Sequence, residues 1–144
     1  MTQPKKSKLA KYPLRVYKAY PGCKLSAPRL KDTARRVLEA EDWNFHLEVI
    51  VADDTELQRL HAQFFGDNTP TDVISFPGDV KQATPAEIYL SLDQARLQAA
   101  ETGEPVEKVL DRLLVHGLLH LGGWADKTEK QRTRMIEYGE RYLL

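Results

Sequence analysis

Within the 144 residues of this chain, the segment VHGLLHLGGWADKTE at 115–129 gathers the side chains best suited to holding a metal ion. His116 and His120 stand four apart in an apolar stretch, so on a helix both imidazoles share one face and can chelate one ion. Gly122 and Gly123 then break the helix, because glycine takes left-handed backbone at little cost, and the chain can turn so that Asp126 reaches the same ion. Two imidazoles and one carboxylate make three ligands, the number that a catalytic zinc takes from protein while keeping a fourth position open. The competing reading makes both histidines hydrogen-bonded core residues. Their spacing in so apolar a helix, followed by a glycine break and a carboxylate, speaks against it. DKTE and TEKQ both spell capping boxes, so either Asp126 or Thr128 caps the last helix, and Asp126 is free to ligate only if Thr128 is the cap.

A frame must hold these side chains. Apolar and basic residues alternate over 14–20 and predict a strand with one wet face. Ser26 offers an N-cap to a helix running to about residue 40, with Leu30, Ala34, Val37 and Leu38 inward and Lys31, Arg35 and Arg36 outward. FHLEVIV at 45–51 reads as a buried strand. Asp53 or Asp54 caps a second helix carrying Leu57, Leu60 and Phe64 on one face. After the turn-rich GDNTPT come strands at 73–77 and 87–91, then helices at 92–100, 106–121 and 128–142. The order βαβαββααα predicts an α+β fold, a mixed sheet of about four strands packed with about five helices. Residues 14–144 are read as a single domain behind a flexible basic arm at 1–13.

Composition bounds the function classes. The 21 basic and 21 acidic residues cancel to a net charge of zero, yet the first 36 positions hold eleven of the basic residues and one of the acidic ones. That asymmetry points to a polyanionic partner or a docking face, against the plainer reading of a solvated tail. Cys23 is the only cysteine, so intramolecular disulfides are excluded and a reducing cytoplasm is the expected home. No signal-peptide pattern and no membrane-length apolar run occurs.

HGLLHLGGWAD resembles the metal-binding signature of the YbeY family of single-strand-specific, rRNA-maturing endoribonucleases, and TDVISFP at 71–77 resembles that family's second motif. The resemblance runs from about residue 47 to the C-terminus. It implies an α+β fold with one Zn2+ per chain at the base of a cleft, single-stranded RNA as substrate, and a role in ribosomal RNA maturation and ribosome quality control. The family pattern most often has a third histidine where Asp126 stands, a change that keeps a zinc ligand type but lowers the charge of the site by one. The family also commonly carries an arginine in the loop after the second helix, where this chain has Phe65.

Other polar residues near these motifs have plain readings: Thr71 and Asp72 as turn or cap residues, Glu87 as a solvent-facing charge, His46 and His61 as structural or surface groups. Ser75 and Ser91 are weak candidates for lining the substrate path. Trp124 and Tyr138 read as packing anchors ahead of base-stacking rings. Lys31, Arg35 and Arg36, with the N-terminal lysines, are proposed to dock phosphate. Two other functions compete. A zinc protease would need a glutamate directly after the first histidine as general base, and Gly117 stands there. An RNA-binding or ribosome-binding module would carry a structural zinc or none, but a structural site is normally closed by four protein ligands and the motif offers three.

Overall fold

Strands and helices alternate through the first two thirds of the chain and give way to consecutive helices at its end: β1 (Leu14–Lys18), α1 (Ala27–Glu41), β2 (Leu47–Ala52), α2 (Asp54–Phe65), β3 (Val73–Phe76), β4 (Ala86–Ser91), α3 (Leu92–Thr102), α4 (Val106–Leu121) and α5 (Glu129–Glu140). The computed structural model describes residues 13–18, 24–44, 46–79 and 81–143. Residues 1–12 of the expected arm, Tyr20, Cys23 and Phe45 lie outside the described residues. The order matches the expected one, and the fold is α+β.

Local chemistry fixes the helix starts. The Ser26 side chain accepts from the Arg29 amide, and Asp53, rather than Asp54, accepts from the Glu56 amide. Thr128 and Gln131 complete a reciprocal capping box at the start of α5.

The sheet order is β1-β2-β4-β3, with β1, β2 and β4 parallel and β3 antiparallel at the edge. Leu47, Val49 and Val51 of β2 and Ile88 and Leu90 of β4 face the main core beneath the helices. At the centre of that core lies α4, buried on most sides and in contact with α1, α3, α5, β3 and β4. A helix apolar almost all round is a helix packed almost all round.

On the opposite face α2 presses Leu57 and Leu60 against Ala52 and Ile74. Phe64, expected on that inward face, is 57% exposed and meets the Phe76 ring edge-on, the ring centroids 5.1 Å apart. Its neighbour Phe65, 56% exposed, stacks on Phe76 at 6.1 Å. Arg36 also departs from expectation. Its guanidinium is drawn inward to donate to the Tyr142 carbonyl at 2.8 Å, because the C-terminal segment covers that flank of α1. Among the described residues, no helix is long and apolar enough to cross a membrane.

Candidate functional site

The site is built on the C-terminal half of α4, and several contacts fix where that half lies. Ahead of that half, Arg112 pairs with Glu104 at 2.8 Å and with Glu140 of α5 at 2.8 Å, and its hydrogen bonds to Glu104 hold that carboxyl down at about 2. One residue earlier, the buried Asp111 accepts from Arg29 and Thr33 of α1. Toward the other end, Ser75 of β3 donates its hydroxyl to the Gly117 carbonyl at 3.0 Å. A Cβ at position 117 would lie 2.9 Å from Ile88 Cγ2 and 3.0 Å from Ser75 Oγ, so glycine is what lets the helix rest this closely on the sheet. Gly122 then lies against the Trp43 indole, where a Cβ would clash at 2.2 Å.

This placement brings His116, His120 and Asp126 to one cleft of about 140 Å³, lined also by Asp72, Val73, Arg132, Met135 and Ile136. Thr128 is the cap of α5, so the Asp126 carboxylate is released from capping and lies 3.0 Å from His120 Nε2. His116 Nε2 is buried without a hydrogen-bond partner among the described residues. Burial holds the His116 ring below the ordinary imidazole range, although the Asp72 carboxylate pulls the other way.

The donors suit zinc. An unpaired buried imidazole nitrogen is costly unless something satisfies it, and a neutral imidazole lone pair is a metal ligand. His120 Nε2 and Asp126 Oδ2, 3.0 Å apart, are spaced close to the roughly 3.3 Å between two donors of a tetrahedral ion with bonds of about 2.0 Å. Among the described residues no three such side chains are already closed around one point, so the cleft offers ligands and not a finished coordination sphere.

The remaining expected residues are distributed differently. Ser75 supports α4 from below and is spent on the Gly117 carbonyl. Ser91 is fully buried outside the cleft as the N-cap of α3, donating to Asp54 Oδ1 at 2.7 Å. Lys31, Arg35 and Arg36 of α1 do not line the cleft. His61 holds the following loop through the Thr69 carbonyl, and His46 is half-buried beside β2. Glu87 is half-buried opposite Glu48, with its carboxyl raised by burial and by that neighbour. Trp124 and Tyr138 stack on each other at 4.6 Å and pack on the main core, as packing anchors do.

Sequence reasoning passed over two cleft residues. Asp72, expected as a turn or cap residue, accepts from the Ser91 amide through its backbone carbonyl, while its side chain accepts from Gln98 at 2.9 Å and lines the cleft. Arg132 went unnoticed. Its helical spacing to Met135 and Ile136 says that the three share a face, and only the fold says that this face lines the cleft.

Residues 20–144 match the family model described as Endoribonuclease YbeY. A protein of Petrotoga mobilis named Endoribonuclease YbeY is 30% identical over 122 residues, covering 83% of this chain and 85% of that protein. One of Acholeplasma laidlawii with the same name is 36% identical over 98 residues, covering 67% of this chain and 72% of the other. Among solved structures, the solution structure of TM1509 from Thermotoga maritima is similar at a TM-score of 0.64 and 30% identity, over 90% of this chain and 86% of that one.

Proposed function

This chain belongs to the endoribonuclease YbeY family, and from that premise we propose that it is a zinc-dependent endoribonuclease that cuts single-stranded RNA in ribosomal RNA maturation and ribosome quality control. The observation that carries the zinc reading is the buried, unpartnered Nε2 of His116 in the same cleft as the His120–Asp126 pair. His116, His120 and Asp126 would hold the ion. When bound, zinc supplies Lewis acidity toward a phosphoryl oxygen and makes a water it holds more acidic.

The protein's own part is positional. Ser75 and Gly117 set the depth of α4 against the sheet, and with it the depth of both imidazoles. Asp126 Oδ2 lies within hydrogen-bond distance of His120 Nε2, and both atoms would turn to the ion when it is bound. Asp72, steadied by Gln98, adds negative charge beside His116 and favours a cation there. Gly117 faces Ile88 and Ser75 rather than the cleft, which leaves no room on that side for the glutamate base of a zinc protease.

The test is metal content by mass spectrometry on the purified chain, alongside cleavage of a single-stranded oligoribonucleotide. About one zinc per chain is expected in wild type. Loss of zinc, and a fall in cleavage on the order of 100-fold or more, is expected in His116→Ala and His120→Ala, with intermediate loss in Asp126→Ala. RNA binding with no metal-dependent cleavage would favour a binding module instead.

A further inference from the structure

We propose that Arg132 binds the scissile phosphate of the RNA; the proposal rests on the nuclease reading above and names the residue that seats the substrate. The cleft presents the carboxylates of Asp72 and Asp126 to a substrate that is itself a polyanion. Some positive charge must offset this, and Phe65 at the end of α2 brings none, its ring being engaged with Phe76. Among the cleft-lining residues, Arg132 is the one with a permanent positive charge.

Its other contacts leave that charge available. Arg15, Arg29, Arg35, Arg59 and Arg112 are each matched with a carboxylate, whereas Arg132 takes part in no ion pair among the described residues. Its Nη1 donates to the backbone carbonyls of Asp126 at 3.2 Å and Lys127 at 3.5 Å. A guanidinium has five N–H donors in a planar fork, so the two carbonyls held by Nη1 fix its direction and leave the Nε and Nη2 donors for two phosphate oxygens. Because one fixing bond goes to Asp126 itself, the phosphate seat and a candidate metal ligand are held in one register.

The plain alternative is that Arg132 only steadies the loop before α5. Three variants of the full chain separate the two: Arg132→Gln keeps an N–H for the Asp126 carbonyl but removes the charge, Arg132→Lys keeps the charge but loses the fork, and Arg134→Ala removes an exposed arginine of the same helix outside the cleft. Affinity for a single-stranded oligoribonucleotide is read by fluorescence anisotropy across salt concentrations with chelator present, and cleavage is read with zinc. Arg132→Gln should weaken binding about tenfold and flatten the plot of log affinity against log salt by about 0.7, the value for one phosphate contact on a single strand. It should raise KM more than it lowers kcat. Arg132→Lys should fall between Gln and wild type, and Arg134→Ala should match wild type. An Arg132→Gln protein with wild-type affinity, salt slope and KM overturns the proposal. A wild-type chain that neither binds nor cuts RNA overturns the nuclease reading, and this proposal with it.

Discussion

At residue scale, Gly117 does more than decline a role as base. Its missing side chain is what lets α4 approach β4 and β3 closely enough for Ser75 to reach a helix carbonyl. Gly117→Ala should therefore destabilise the protein by about 1–2 kcal/mol, the cost of overpacking outweighing the roughly 1 kcal/mol by which alanine is the better helix former. Urea unfolding checks this through a lower midpoint at unchanged slope. The sequence made the histidines legible because ligand spacing on a helix is a local property. Arg132 and Asp72 were not legible as site residues in the same way. They meet only because the first turns of α5 and the start of β3 converge on one cleft, and no spacing along the chain encodes that meeting.

At the scale of elements, the cap of α5 decides what Asp126 can do. With Thr128 accepting the Gln131 amide and Gln131 returning its side chain to the Thr128 amide, the helix start needs nothing from Asp126. Thr128→Ala should cost about 1 kcal/mol and lower the melting temperature by a few degrees, measured by circular dichroism. Ser26 and the glycines after α2, α3 and α4 are chemical punctuation that made those boundaries readable, whereas only the fold chose Asp53 over Asp54 and Thr128 over Asp126 as caps. The strand order was less readable. Nothing in the sequence of β3 or β4 says that β4 inserts beside β2 and pushes β3 to the edge. The inward turn of Arg36 was equally hidden, since its partner is a backbone carbonyl 106 positions away.

For the whole molecule, the tie between α1 and α4 makes stability depend on acidity. Burial raises the Asp111 carboxyl above its ordinary range, against the downward pull of Arg29 and Thr33. In Arg29→Ala that pull is weakened and the carboxyl rises further. The native state then holds a proton that the unfolded chain releases, so stability is kept below the ordinary carboxylate pKa and lost as pH climbs through the raised one. The variant should be nearly as stable as wild type near pH 4 and weaker by about 2 kcal/mol at pH 7, a figure tempered by the partial exposure of Arg29. Melting curves across that range test it, and a deficit that grows toward acid would contradict it.

Phe64 and Phe65, each more than half exposed beside Phe76, belong to a chain whose formal charges cancel at pH 7. Two copies meeting face to face have little net repulsion to keep them apart and a ready-made greasy contact to hold them. Colloidal stability is therefore lowest near neutrality. Moving the buffer a unit or two above neutrality, which gives every copy the same sign and keeps imidazoles neutral, should keep concentrated samples clear.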